Sequence, residues 1–190
     1  MAAPRNENIK EKILNTTEML LKDSSFSDLS LAKIAKATNI SKGTLYYYYK
    51  TKGEILFDLT DRYLSKQWDD LIEWTENKEK DTSIKRLIKY VVERNVASAD
   101  MRMMLYNESQ LGDENVRQKL IARYEDFQKL ICKKIAERTD LPAEFLTWLT
   151  LLVSDGIIIQ ETLKNENFTA QNYIEQFADF ISSPQNKGWN

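Results

Sequence analysis

Histidine is absent from this chain of 190 residues, and cysteine occurs once, at position 132. The first absence removes the commonest general base and the commonest nitrogen ligand for metals. A single cysteine permits no intrachain disulfide and no thiolate metal cluster within one chain. Cys132 stands among Leu130, Ile131 and Ile135, so it reads as a small buried hydrophobe, with a redox-sensing thiol as the alternative. Five glycines and three prolines are too few to punctuate a strand-and-turn architecture. Sustained apolar–polar alternation is scarce as well, and the fold class expected is all-α. No signal peptide is legible, and no apolar run approaches the length of about 20 residues that spans a bilayer. The expectation is a cytoplasmic protein with no membrane partner. A Gly-rich phosphate loop is missing too, and paired carboxylates such as Asp69 and Asp70 read as a solvated helix face. With no base, nucleophile or metal ligand in any constellation, an enzyme is not expected, and neither cofactor nor metal is implied.

Charge is ordinary in amount and uneven in place. The net charge is −2, yet residues 1–52 hold nine Lys/Arg against five Asp/Glu, a balance of +4. Residues 53–190 hold eighteen against twenty-four, a balance of −6. A basic head on an acidic body suits local contact with phosphates, which the whole-chain charge conceals.

What the head does contain is Ser41-Lys42-Gly43-Thr44-Leu45-Tyr46-Tyr47-Tyr48-Tyr49-Lys50-Thr51-Lys52-Gly53-Glu54. Ser41 is a good N-cap, and Thr51 with Glu54 has capping-box spacing, so a second helix should begin near Lys52. Cations, hydroxyls and amphipathic rings on one short helix suit a duplex groove, although tyrosines on a helix also simply pack. The residues before it favour the groove. Ser30 can cap a helix over Leu31–Thr38, Asn39 can take the left-handed conformation that ends it, and Ile40 plugs the corner. Helix, four-residue turn, helix is the spacing of a helix-turn-helix. Ile9, Ile13, Thr17, Leu20 and Leu21 give a supporting first helix.

Ile34-Ala35, Asn39-Ile40-Ser41-Lys42-Gly43-Thr44-Leu45-Tyr46-Tyr47 and Tyr49-Lys50-Thr51-Lys52 together closely resemble the DNA-binding domain of the TetR family of bacterial transcriptional regulators. The resemblance implies base-edge contact for Lys42, Gly43 and Tyr47. It implies phosphate contact for Ser41, Thr44, Tyr46, Lys50 and Tyr48, while Leu45 and Tyr49 match positions facing the core. It further implies a homodimer that binds a palindromic operator on double-stranded DNA and is released by a small-molecule effector. The chain departs from the family pattern at Tyr48, where histidine is common, and at Tyr49, where phenylalanine is usual. The turn Asp23-Ser24-Ser25-Phe26 lacks the customary glycine.

Two domains are expected, a helix-turn-helix domain over 1–52 and a ligand-binding and dimerisation domain over 53–190, with about nine helices in all. Residues 1–7 read as a polar tail, or alternatively as an arm whose Arg5 reaches the minor groove. A fourth helix from Lys52 to about Thr75 is long enough to carry a displacement between domains, at roughly 35 Å. Its N-terminus, with Lys50 and Lys52 beside it, reads as a phosphate clamp. Helices follow over the periodic run from Ile84, over the Met-rich run from Asp100 to Gly112, and over 114–138.

Helix bundles hold ligands between facing helices, in mostly apolar cavities. The candidates are Trp68, Tyr90, Met101, Met104, Tyr106, Phe127 and Trp148, each of which also serves as plain core. After Pro142 comes a helix that is apolar on nearly every side, then a last helix with a broad apolar face near 170–181. In a single chain one side of this pair would be wet, which predicts a twofold four-helix interface with a second copy. Leu152, Asp155, Gly156, Ile159, Tyr173, Phe177 and Phe180 are the candidate interface residues, and a monomer with the hairpin at its centre is the alternative. Asp155 needs a partner, either across that interface or on a cationic ligand. The competing functional reading is a helical interaction module of the same fold without DNA binding.

Overall fold

The computed structural model describes residues 4–183, and side chains from residue 9 onward. Among the described residues there are nine α-helices and no strand. They are α1 (Pro4–Asp23), α2 (Leu31–Thr38), α3 (Lys42–Tyr48), α4 (Lys52–Glu76), α5 (Ile84–Ala97), α6 (Ala99–Gln110), α7 (Glu114–Ala136), α8 (Ala143–Thr162) and α9 (Ala170–Ser182). The all-α expectation holds, and most boundaries fall within two residues of the caps read from the sequence. One difference is at the start: α1 begins at Pro4, a residue suited to a first helical turn, rather than near residue 8. Met1–Ala3 and the side chain of Arg5 lie outside the described residues, and with them the proposed tail or arm.

The helices form two compact units. The first comprises residues up to Ser65 together with Met101–Lys119; the second comprises Lys66–Asp100 and Leu120 onward. This division by packing differs from a cut at 52/53. The reason lies in the first turns of α4, where Ile55 and Leu59 are buried against Ile13, Ile34, Leu45 and Tyr49. The three N-terminal helices therefore need α4 to close their core. Arg62 of α4 adds a polar clasp to α1, donating to Glu11 at 3.1 Å, Asn15 at 2.6 Å and Glu18 at 2.6 Å.

The second unit is built on Leu87, Ile88, Val91 and Val92 of α5, with Ile131 and Ile135 of α7, Ile157 of α8 and Ile174 of α9. Lys85–Asp179 and Lys89–Glu175 ion pairs join α5 to α9 beside this core. In α8 the buried face mixes Leu146, Leu151, Ile157 and Ile158 with hydroxyl-bearing residues. It carries Thr147, Thr150 and Ser154, whose hydroxyls return to the carbonyls of Ala143, Leu146 and Thr150, and Asn95 donates to Ser154 at 3.1 Å. The opposite face shows Phe145, Trp148, Leu152, Gly156 and Ile159 in one stripe at helical spacing, all exposed. By length and composition α8 could cross a membrane, which corrects the expectation that no such stretch exists. Its buried side joins the core of the second unit through Leu146 and Ile157.

Candidate nucleic-acid interface

The corner between α2 and α3 is set by three short residues. Ser30 accepts from the Lys33 amide at 3.2 Å and opens α2. Asn39 takes φ 56° and ψ 48°, the left-handed conformation that asparagine tolerates. Its amide donates to the Lys36 carbonyl and the Ile40 amide to the Ala35 carbonyl, both at 3.1 Å, which satisfies the end of α2 as a Schellman motif does. Ser41 then accepts from the Thr44 amide at 3.0 Å and opens α3.

The missing glycine before α2 is also accounted for. The chain passes Ser25–Asp28 in a tight turn held by Ser25 donating to Asp28 at 2.6 Å, and Phe26 is buried beneath it. No residue of that turn needs positive φ, so nothing there calls for glycine.

These caps fix which side of α3 faces inward. Leu45 is 0% exposed and Tyr49 2%, while Tyr46 is 48% and Tyr47 72% exposed. Ser41, Lys42, Gly43 and Lys50 are exposed on the same segment, and Thr44 and Tyr48 are half-buried. Tyr48 meets the edge of Tyr47 at 5.2 Å and 87°, and so props the outer ring. A methyl group at Gly43 would meet only the Ser41 hydroxyl, at 3.7 Å, so nothing within the chain demands glycine there. Tyr49 donates its phenol to Asp58 at 3.0 Å, and burial, followed by the charge of Asp58, raises its pKa.

The start of α4, read from the sequence as a phosphate clamp, carries a set of intrachain contacts. Thr51 and Glu54 form the capping box: Glu54 N–H donates to the Thr51 hydroxyl at 3.1 Å, and Thr51 N–H to the Glu54 carboxylate at 3.4 Å. The same carboxylate takes the Lys50 amide at 2.6 Å. Lys52 donates to the Phe26 carbonyl at 3.1 Å and lies 4.6 Å over the Phe26 ring. The Thr51 hydroxyl thus serves the Glu54 amide, and Lys52 braces the turn before α2. Lys50 reaches back to the Tyr46 carbonyl at 2.6 Å while staying exposed.

Residues 13–59 match the model of bacterial regulatory proteins of the tetR family. Those residues carry the N-terminal domain of the TetR family. Over 65 residues it is 35% identical to the HTH-type transcriptional regulator EthR of Mycobacterium tuberculosis, covering 34% of this chain and 30% of that one. It therefore spans about a third of the length of those relatives. An HTH-type regulator of Lactococcus lactis is 24% identical over 145 residues, 70% of this chain and 71% of its own. A TetR transcription regulator from Haloarcula marismortui has the same fold, with TM-score 0.69, 18% identity and 92% and 96% coverage. So does Salmonella enterica GusR, with TM-score 0.62, 16% identity and 95% and 98% coverage.

The seven candidate ligand residues divide between the two units, with Met101, Met104 and Tyr106 in the first and the other four in the second. Trp68 and Phe127 approach at 6.1 Å, and the Arg123 guanidinium lies 4.0 Å over the Trp68 ring. Tyr90 stacks on Trp74 at 4.9 Å and walls a cavity of about 350 Å³ with Lys80, Arg86 and Lys89. Met104 lines a cavity of about 620 Å³ with Phe26, Lys52 and Leu111. Met101 is half-buried, Tyr106 is exposed, and Trp148 lies on the exposed stripe of α8. Asp155 finds a partner in its own chain, since Tyr124 donates to both its carboxylate oxygens at 3.2 Å. Sequence reasoning overlooked Arg123, because a cation among the charges of an amphipathic helix carries no signal until a ring is placed beneath it.

Proposed function

We propose that the chain is a cytoplasmic transcriptional repressor that binds a palindromic operator as a homodimer and lets go when a small-molecule effector binds. The observation that carries this reading is the segregation along α3, with Leu45 and Tyr49 sealed in the core and Lys42, Gly43, Tyr46 and Tyr47 turned outward. Two large rings left in water beside cations need a partner surface, and a major groove offers thymine methyl groups, base edges and phosphates at that spacing. Gly43 admits close backbone approach to the bases. Lys42 and Tyr47 are assigned to base edges, and Ser41, Thr44, Tyr46 and Lys50 to phosphates.

The exposed stripe of α8 and the exposed Tyr173 and Phe180 of α9 support pairing with a second copy. Two α3 helices would then enter successive major grooves. The aromatic walls around Trp68, Phe127 and Tyr90 support an effector site in the second unit. Such a ligand must bind the DNA-incompetent form more tightly, or it shifts nothing.

The test is electrophoretic retardation of the duplex upstream of the chain's own gene, with duplexes selected from a random pool beside it. Tyr47→Ala is expected to cost about 1–3 kcal/mol and to relax specificity at one position. Lys50→Ala is expected to weaken binding to every duplex and to flatten its salt dependence. If no duplex is retained at low salt, the chain is an interaction module of this fold instead.

A further inference from the structure

One carboxylate serves the N-termini of two helices in the first unit. Gly112 turns the chain with φ +95° after α6, and Asp113 follows as the cap of α7, its Oδ1 accepting from the Val116 amide at 3.1 Å. Its Oδ2 accepts the hydroxyl proton of Thr51 at 2.5 Å, across 62 positions of sequence. Thr51 is itself the cap of α4. A threonine hydroxyl has one proton, and by giving it to Asp113 the oxygen keeps its lone pairs for the Glu54 amide at 3.1 Å. Asn115 adds a second strap by donating to the other oxygen of Glu54.

The approach is close, and a side chain at position 53 would press on this corner. A methyl group at Gly53 would stand 2.9 Å from Asp113 Oδ2, 3.1 Å from Val116 Cγ2 and 3.3 Å from Glu108 Oε2. Glycine within a helix costs stability against alanine, and here that cost admits the α6–α7 corner. From the corner the hydrogen bonds run on without a gap. Thr51 holds Glu54, Glu54 takes the Lys50 amide at 2.6 Å, and Lys50 holds the Tyr46 carbonyl at 2.6 Å.

We propose that Asp113 is a positioning residue for DNA recognition: through Thr51 and Glu54 it sets the angle at which α3 leaves α4. The proposal rests on the DNA-reading assignment of α3 given above. Asp113 lies outside the family match at 13–59, so that motif does not supply its role. Its carboxylate is held by the Val116 amide and the Thr51 hydroxyl, so its route to α3 runs through the capping box.

The experiment is a double-mutant cycle on affinity for a duplex that the unaltered chain selects from a random pool, read by fluorescence anisotropy. Asp113→Asn keeps a good cap for α7 but offers a donor where the Thr51 proton needs an acceptor. Thr51→Val removes the proton, and Thr51→Ser restores it. Asp113→Asn and Thr51→Val are each expected to weaken binding about tenfold or more, with cooperative thermal unfolding retained. The double variant should bind no worse than either single one, and Thr51→Ser should bind as the unaltered chain does. Unchanged affinity in both single variants, additive losses in the double one, or loss of cooperative unfolding in both would overturn the proposal. A chain that selects no duplex at all would instead sink the assignment of α3.

Discussion

Tyr49 shows how one atom separates packing from chemistry. Its ring fills the same inward position as Leu45 on the next turn, and that much follows from the helical spacing of a seven-residue helix. The phenol is what distinguishes it from the phenylalanine usual in the family, and only the fold reveals that Asp58 receives it. Asp58 also meets Lys10 at 2.7 Å. Tyr49→Phe is expected to destabilise the chain by about 0.5–1.5 kcal/mol while leaving DNA affinity unchanged, measured by urea denaturation and anisotropy. A second outcome follows from the raised pKa. The unfolded phenol ionises near its ordinary value of 10.0 and the folded one only well above it. Stability is therefore whole below that pH and falls as pH rises beyond it, and Tyr49→Phe should remove that part of the alkaline slope.

Among the helices, the caps were the most legible features. Ser30, Asn39, Ser41 and the Thr51–Glu54 box mark their elements because each satisfies backbone groups a few positions away. Local rules of this kind do not say which helix lies beside which. The α5–α9 pairing shows the difference, since Lys85 and Lys89 look like solvated charges until Asp179 and Glu175 are set against them. Lys89 holds the Glu175 carboxyl below its ordinary value of 4.5. A lowered folded pKa adds stability above 4.5 that is lost as pH falls through the folded value. Glu175→Gln should flatten the decline in urea midpoint between neutral and acidic pH without moving the midpoint of DNA binding. An unaltered acid slope in that variant would remove the pair from the stability of the second unit.

In a single copy, the outer face of α8 and α9 is apolar and exposed. Leu152 is 65% exposed, Phe180 57% and Phe145 56%, while the hydroxyl-bearing face of α8 is inside. A methyl group at Gly156 would meet nothing within 4 Å in the same chain, so that point on the stripe is open to a partner helix. Leu152→Glu is expected to give a folded monomer by sedimentation equilibrium, because it places a charge at the centre of the proposed seam. The same variant should lose most of its operator affinity, since two half-sites would no longer be held at one spacing. A Leu152→Glu dimer of full affinity would move the interface elsewhere.

The order of the helices, the caps at α2, α3 and α4 and the outward rings of α3 were all decided by neighbours along the chain. Periodicity and capping act over three or four residues, and that range is printed in the sequence. The partners of Lys52, Asp58, Arg123 and Asp113 were decided only when distant helices met. Each is a charged side chain on an amphipathic surface, and such a residue looks the same whether it faces water or a carbonyl, a ring or a second helix. Burial and direction distinguish those cases, and both belong to the packed chain.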